Sequence, residues 1–177
     1  MSLSTIKNPT GGVPGQRVMN QLFFEQHLWG RILSRENLQA SWKRVRANKG
    51  APGVDGITIA DFSERFRPLW ADIRASLATG TYQPKPVLRV EIPKPTGGVR
   101  PLGIPTVLDR LIQQSIAQML TPIFDPEFSA SSFGFRPGRS AHQAVRQVRA
   151  YLQQGYRYAV DIDLAKFFDT VNHDGRA

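Results

Sequence analysis

The sequence contains no cysteine among its 177 residues. Disulfide bonds and thiolate metal sites are therefore excluded, and the composition fits a reducing compartment, for which we expect a cytoplasmic location. The chain also lacks a run of about eighteen apolar residues, the length typical of a transmembrane helix. Its first twenty residues lack the apolar core of a secretory signal peptide.

Acidic residues are scarce through most of the chain. The first 155 residues contain twenty Lys or Arg and ten Asp or Glu, whereas residues 156–177 contain three and four. The net charge is +9. A basic body favours a polyanionic partner, nucleic acid first and an anionic membrane surface second. A soluble basic protein without such a partner is the alternative.

Hydrophobic spacing and capping residues predict several helices. They cover residues 20–33, residues 35–48 after Ser34 as N-cap, a pattern over 62–77 broken at Pro68, and segments capped by Thr106 and Ser140. The segment "NKGAPGVDGIT" between the second and third patterns predicts a structured turn, because it holds three glycines and a proline.

Two stretches predict β-structure. Leu88, Val90 and Ile92 alternate with charged residues, "PKPTGG" is a turn, and "VRPLGI" returns, so residues 88–104 are predicted to form a hairpin. A separate strand is predicted over 157–164, "RYAVDIDL". Helices combined with a hairpin and a separate strand define an α+β fold class.

Aspartates are concentrated on the predicted strand 157–164. Alternation places Asp161 and Asp163 on one face, and Asp169 follows shortly afterwards. Neighbouring carboxylates repel each other, and a divalent cation such as Mg²⁺ relieves that repulsion when substrate phosphates complete its coordination. The pattern favours metal-assisted phosphoryl chemistry. An ordinary amphipathic strand with aspartate on its polar side is the alternative.

The helix predicted over 35–48 combines a buried stripe with a cationic surface. The stripe consists of residues at spacings of four and three: Leu38, Trp42 and Val45. The cations occupy the other positions and the residue beyond the helix: Lys43, Arg44, Arg46 and Lys49. On charge alone these cations fit a solvated helix face.

Four blocks occur in a fixed order along the chain: "NLQASWKRVRANKGAPGVDGIT", "RVEIPKPTGGVRPLGIPTVLDRLIQQ", "FSASSFGFRPGRSAHQAV" and "DIDLAKFFDTVNH". Together they resemble the N-terminal part of a group II intron-encoded reverse transcriptase/maturase. The resemblance extends from Met19 to His173. It implies an RNA-directed DNA polymerase that performs nucleotidyl transfer with two Mg²⁺ ions, and it implies RNA (template or intron) and a DNA primer as partners.

The resemblance also implies a division of the chain. Residues 1–18 are expected to be a flexible leader, 19–156 the fingers with an N-terminal RNA-binding extension, and 157–177 the first strand and helix of a truncated palm. In this fold, helices are expected to pack around the β-hairpin and one palm strand.

Several residues match positions with known roles in that family. Asp163 matches the first catalytic aspartate, which binds both magnesium ions together with the backbone carbonyl of Leu164. Phe168 matches the residue that blocks the 2′-hydroxyl of the incoming sugar. Lys94 and Arg100 match residues that contact the nucleotide triphosphate. Considered without the family, these two cations read as a solvated turn lysine and an edge-strand arginine.

Two further sets of residues match nucleic-acid contacts. In the segment 37–55, the cations Lys43, Arg44, Arg46 and Lys49 correspond to phosphate contacts. In the loop "FGFRPGRS", Arg136 and Arg139 correspond to contacts with the template backbone, while Phe133 and Phe135 are expected to pack. A Gly/Pro loop held by buried phenylalanines is the alternative for the two aromatics.

The chain departs from the family pattern at one point. The family carries a second acidic turn, "YADD"-like, downstream of the first aspartate, and no such turn occurs in residues 1–177. These residues are therefore predicted not to polymerise DNA alone, and a missing C-terminal half becomes a candidate partner. A non-catalytic RNA-binding remnant is the alternative function. No membrane partner is expected.

Overall fold

A computed structural model describes residues 27–95, 97–164 and 167–170. The expected leader, 1–18, and the start of the first predicted helix, 20–26, lie outside the described residues.

The described residues divide into two units, one ending at Glu127 and one beginning at Phe128. No helix in the described ranges is long and apolar enough to cross a membrane. In chain order the elements are α1 (27–32), α2 (Arg35–Ala47), α3 (Phe62–Phe66), α4 (Trp70–Ala78), β1 (Leu88–Pro93), β2 (Val99–Ile104), α5 (Val107–Phe124), a 3₁₀ turn (Asp125–Glu127), α6 (Ala141–Gln153) and α7 (Phe167–Thr170).

Helices α2 and α5 pack against each other and carry the core of the first unit. Each begins at a predicted cap, because the Ser34 hydroxyl accepts from the Asn37 amide and the Thr106 hydroxyl accepts from the Asp109 amide. The buried apolar residues are Ile32, Leu33, Val45, Phe62, Leu77, Val107, Leu108, Leu111 and Ile112. The predicted helices and their caps are confirmed here.

The helical pattern over residues 62–77 forms two short helices, α3 and α4, separated at Pro68 as predicted. The Phe62 ring stacks on Trp42 with centroids 4.7 Å apart and lies at the same distance from Phe66. Aromatic contacts therefore join α3 to α2 and extend the core beneath the basic helix.

The predicted hairpin is confirmed as an antiparallel pair of β1 and β2, with Leu88 opposite Ile104 and Pro93 opposite Val99. The expectation that helices pack around it is wrong for the described residues. Its apolar side chains stay partly open to solvent, with Val90 and Ile92 each 38% exposed. In the first unit, α2 and α5 instead bury their apolar residues against each other.

In the second unit, α6 begins with a capping box formed by Ser140 and Gln143. The strand predicted over 157–164 is wrong in the described structure, because these residues are neither helical nor paired as a strand. Val160 is 85% exposed and Ile162 is 82% exposed. Alternation alone cannot form a strand, since its backbone groups need a neighbouring strand, and β1 pairs with β2 alone within the described residues.

Candidate nucleic-acid and nucleotide site

Four cations lie in the C-terminal half of α2 and just beyond its end. All four are exposed: Lys43, Arg44, Arg46 and Lys49. The helix ends at Ala47, and the amide of the C-cap residue Asn48 donates to the Arg44 and Arg46 carbonyls. Basic side chains in the last turn also complement the negative end of the helix dipole. We call Lys43, Arg44, Arg46 and Lys49 the α2 basic surface.

An open groove of about 690 Å³ adjoins the end of the α2 basic surface. Arg46 and Lys49 line it together with the hydroxyl-bearing Thr58 and Ser63, and Trp42 contributes an aromatic wall. Cations and hydroxyls are the groups that proteins use to contact phosphate and sugar oxygens. The groove therefore offers chemistry suited to a nucleic-acid backbone.

A buried polar cluster fixes α2 against α5. The Asn37 Nδ2 donates to the Ile32 carbonyl at 2.8 Å and to the Ser115 carbonyl at 2.9 Å. Gln118 Nε2 donates to Asn37 Oδ1 at 2.8 Å and to Ser41 Oγ at 2.9 Å. Sequence reasoning missed this cluster. The signal was the spacing of four that places Asn37 and Ser41 on the same helix face as buried Val45.

A second polar network joins Tyr82, which follows α4, to the N-terminus of α5. Asp109 accepts hydrogen bonds from the Thr106 hydroxyl at 2.5 Å and from the Tyr82 hydroxyl at 2.7 Å. Burial first, and then the hydrogen bond to Asp109, raise the pKa of Tyr82 above its ordinary value. Gly53 lies so close to this corner that a Cβ would come within 2.7 Å of the Thr106 nitrogen.

The hairpin end brings two of the predicted nucleotide contacts into one turn region. Lys94 precedes a tight turn in which its amide donates to the Gly98 carbonyl at 3.0 Å. Gly97 and Gly98 adopt φ values of 89° and 80°, which glycine tolerates best. Arg100 lies opposite Ile92 in the ladder, so both occupy one face of the hairpin. Lys94 and Arg100 are both exposed to solvent.

The loop before α6 uses its two arginines internally. Arg136 Nη1 donates to the Ser129 carbonyl at 2.8 Å and to the Ser132 carbonyl at 3.1 Å. Arg139 Nη1 donates to the Ala130 carbonyl at 3.0 Å. The Arg136 guanidinium also lies 5.4 Å from the centroid of the Phe128 ring. These contacts stabilise the loop.

The two aromatics of this loop differ from each other. The Arg139 guanidinium lies 5.6 Å from the centroid of the Phe133 ring, and Phe133 is half-buried, as the packing expectation requires. Phe135 is fully exposed, so the expectation that it packs is wrong within the described residues.

Asp161 and Asp163 are exposed in the acidic segment of the second unit. Asp163 Oδ1 accepts from the Leu164 amide at 2.9 Å. Among the described residues, no three His, Cys, Asp or Glu side chains lie together as a metal site. Because magnesium is often held by one or two carboxylates plus substrate phosphates, Asp163 fits one such ligand without forming a complete site.

Phe168 belongs to α7 (Phe167–Thr170), and its side chain lies outside the described atoms, as does that of Asp169. The structure therefore gives the backbone element for the predicted sugar contact and nothing on the geometry of its ring.

Comparison with protein-family models matches residues 92–177 to the reverse transcriptase (RNA-dependent DNA polymerase) family. The match includes Lys94, Arg100, the arginine-braced loop and the acidic segment. Residues 92–177 are therefore similar to reverse transcriptases.

Particular relatives extend the similarity towards the N-terminus. The chain is 38% identical over 154 residues to Protein YkfC of Escherichia coli (strain K12), covering 84% of this chain and 40% of that protein. It is 36% identical over 149 residues to the group II intron-encoded protein LtrA of Lactococcus lactis subsp. cremoris, covering 82% and 24%.

A Saccharomyces cerevisiae relative, the putative COX1/OXI3 intron 1 protein, is 30% identical over 158 residues, covering 88% of this chain and 18% of that protein. The chain thus spans less than half the length of each of these three relatives. These matches make the chain similar to group II intron-encoded reverse transcriptases and maturases.

Proposed function

We propose that this chain contributes to an RNA-directed DNA polymerase of the group II intron type, which extends a DNA primer along an RNA template. The observation that carries the proposal is the continuous family match over residues 92–177, which contains the candidate nucleotide contacts and the candidate metal ligand. In this proposal residues 1–18 are a leader, residues 19–156 correspond to the fingers and residues 157–177 begin the palm.

Asp163 is the proposed catalytic residue. Its exposed carboxylate would hold Mg²⁺, aided by the backbone carbonyl of Leu164, where substrate phosphates complete the coordination. When bound, the metal pair of such a site stabilises the attacking and leaving oxygens of in-line displacement. The chain itself contributes hard oxygen ligands, the Asp163 carboxylate and the neighbouring backbone carbonyl of Leu164.

Lys94, Arg100 and Phe168 are the proposed nucleotide contacts. Lys94 provides a compact charge at the hairpin turn, and Arg100 provides a planar fork that suits phosphate oxygens. Both cations are exposed and therefore accessible to a triphosphate. Phe168 is proposed to exclude a 2′-hydroxyl and so to select deoxynucleotides.

The α2 basic surface is the proposed RNA contact of the first unit. Its four cations are exposed, and two of them, Arg46 and Lys49, line a groove that also contains the hydroxyl-bearing Thr58 and Ser63. Neutralisation of phosphates by such cations releases counterions and makes affinity depend steeply on salt. Arg136 and Arg139, which stabilise their own loop, are the proposed template contacts of the second unit.

The catalytic proposal is tested by primer extension. Residues 1–177 are fused to the region that follows the matched segment in the Lactococcus lactis relative, and extension is measured with RNA template, DNA primer and Mg²⁺. Asp163→Asn is expected to reduce extension by about a hundredfold or more, because it removes a ligand of the catalytic metal. Asp161→Asn is the matched control, since it removes an equally exposed carboxylate two residues away, and it is expected to retain most of the extension.

Extension that survives in the Asp163→Asn fusion would contradict the catalytic assignment. The 177-residue polypeptide tested by itself is expected to give no extension, because no "YADD"-like acidic turn occurs in its sequence.

A non-catalytic RNA-binding protein is the second candidate function. It is favoured by the α2 basic surface, whose helix contributes to the buried core of the first unit. Both candidates require RNA binding, and primer extension separates them.

The RNA-binding part is tested by measuring affinity for a structured RNA over a range of salt concentrations. Replacing Lys43, Arg44 and Arg46 with Gln is expected to weaken binding at low salt and to lower the slope of log K against log salt by about 2 to 3, since each phosphate contact contributes about 0.9. Replacing Arg65, Arg67 and Arg74 with Gln removes equal charge elsewhere and is expected to change the slope less. An unchanged slope in the α2 variant would contradict the proposal.

A further inference from the structure

Phe135 combines two features that a folded protein rarely gives to a phenylalanine. Its side chain is more exposed than in a reference peptide, at 113% relative accessibility. Its backbone φ is 54°, in the left-handed region that disfavours bulky side chains. Because the ring is exposed, it contributes no burial to the stability of the fold, and its backbone conformation is strained. Strained residues of this kind are often found where a protein contacts a ligand.

The contacts of the two arginines that follow Phe135 explain how the loop maintains that conformation. Arg136 and Arg139 together donate to the carbonyls of Ser129, Ser132 and Ala130. These bonds tie the segment after Phe135 to the segment before it. The aromatic ring is therefore presented on a braced loop.

The charge around this loop indicates the kind of partner. Residues 128–160 contain five arginines and no aspartate or glutamate. A groove of about 320 Å³ between the loop and α6 is lined by Arg139, Arg146 and Gln143, among others. Phe133 is the aromatic residue that lines this groove, and Phe135 lies two residues further along the same loop. A loop that combines an exposed aromatic ring with cations suits single-stranded nucleic acid, which offers anionic phosphates and the flat faces of unpaired bases together.

We propose that Phe135 is a stacking residue that contacts an unpaired base of single-stranded RNA, and that Arg136 and Arg139 are positioning residues that present it. The inference rests on the proposed RNA-binding function and adds a positioning role to two arginines that are also proposed template contacts. Aromatic stacking supplies affinity without reading the base, because every base has a π-face. Arg146, in the adjoining groove, is the cation that meets the phosphate backbone.

Affinity measurements with the full 177-residue chain test this inference. Fluorescence anisotropy is measured with a labelled single-stranded oligo(U) and with an abasic phosphodiester strand of the same length. Phe135→Ala is expected to bind oligo(U) about tenfold more weakly, as loss of one stacked base predicts, and to bind the abasic strand as the wild type does. Phe135→Trp is expected to bind oligo(U) at least as tightly as wild type.

Two controls separate stacking from a structural role. Phe135→Gly is expected to lose the same affinity while its melting temperature stays equal or rises, because glycine adopts the observed φ without strain. Tyr158→Ala removes an aromatic ring that is 98% exposed outside the loop, and it is expected to keep wild-type affinity.

Several results would overturn the inference. Wild-type affinity in Phe135→Ala, an equal loss on the abasic strand, or a lower melting temperature in Phe135→Gly would each contradict stacking by Phe135. A wild-type chain that binds neither strand would instead contradict the proposed RNA-binding function on which the inference rests.

Discussion

The packed region formed by α2 and α5 differs from the acidic segment, residues 156–164. The two differ in whether polar side chains find hydrogen-bond partners and apolar side chains are buried. In the packed region, the Asn37 side chain donates to two carbonyls and accepts from Gln118. The Asp109 carboxylate accepts from the hydroxyls of Tyr82 and Thr106. In the acidic segment the residues are exposed and form neither helix nor strand. One region is stabilised by its own residues, whereas the other exposes apolar side chains such as Val160 and Ile162.

This difference bears on function. The α2 basic surface belongs to the packed region of α2 and α5, so RNA binding can be a property of the described residues. The proposed metal ligand Asp163 lies in the region whose apolar side chains remain uncovered, so catalysis requires further structure around it. Exposed apolar residues with strand-like alternation are typical of a segment that pairs with additional strands.

The largest expected effect comes from breaking the buried polar cluster. Asn37→Ala leaves the Ile32 and Ser115 carbonyls without their side-chain donors, and buried unsatisfied groups cost about 1 to 3 kcal/mol each. We expect the free energy of unfolding to fall by about 3 kcal/mol in urea denaturation. Gln39→Ala, at an exposed position of the same helix, is expected to change it by less than about 0.5 kcal/mol. Similar values for the two variants would contradict the role of the cluster.

A second variant tests the close approach of the turn to α5. In Gly53→Ala the new Cβ would lie 2.8 Å from the Thr106 Cα and 2.9 Å from the Pro105 carbonyl carbon. Backbone atoms cannot rotate away, so we expect a loss of about 2 kcal/mol, typical of overpacking. Gly30→Ala meets no atom within 4 Å and is expected to be neutral or stabilising. Thermal melting of both variants measures the contrast, and equal midpoints would argue against it.

A third variant removes the phenolic hydroxyl from the Asp109 network. Tyr82→Phe loses one hydrogen bond, and we expect it to be about 1 kcal/mol less stable than wild type at neutral pH. Because the fold raises the pKa of Tyr82, the unfolded chain releases the phenolic proton first as the pH rises. The wild type therefore loses stability above about pH 10, while the variant lacks this loss.

Urea denaturation between about pH 9 and pH 11 measures the effect, since the ordinary tyrosine pKa lies near 10. The stability difference between wild type and Tyr82→Phe should shrink as the pH rises through this range. A constant difference would show that the hydroxyl does not titrate differently in the folded chain.

The smallest expected effect comes from the acidic segment. Ile162→Val deletes a methyl group from a side chain that is 82% exposed, and we expect a change below about 0.5 kcal/mol. Ile112→Val deletes the same group from a side chain that is 6% exposed, and we expect a loss of about 1 kcal/mol. Denaturation of the two variants compares the regions with identical chemistry. A larger loss at Ile162 would mean that the segment is packed in solution.

Local patterns predicted local structure well. The N-caps Ser34, Thr106 and Ser140 each act on the residue three positions later, so they are visible within four letters of sequence. The hairpin is similarly local, because alternating side chains flank a Gly-Gly turn. Long-range pairing was not visible in this way. Asn37 reads as a surface residue until Ser115 and Gln118 are brought to it.

The residues of the candidate site also differ in whether local sequence patterns could predict their structure. Exposure of the α2 cations followed from the spacing of the buried stripe, although Leu38 and Trp42 are only half-buried. The strand over 157–164 could not be judged from alternation, because pairing depends on residues distant in sequence. The exposure of Phe135 depends on a positive φ within a closed loop, and sequence alone gave no sign of it.

Hydrogen–deuterium exchange of the 177-residue chain tests the contrast between the two regions most directly. The account predicts slow exchange for the amides in the middle of α2 and α5, and exchange close to that of an unfolded peptide for residues 157–163. Protection of residues 157–163 comparable to that of the two helices would contradict it, because the acidic segment would then be folded without further structure around it.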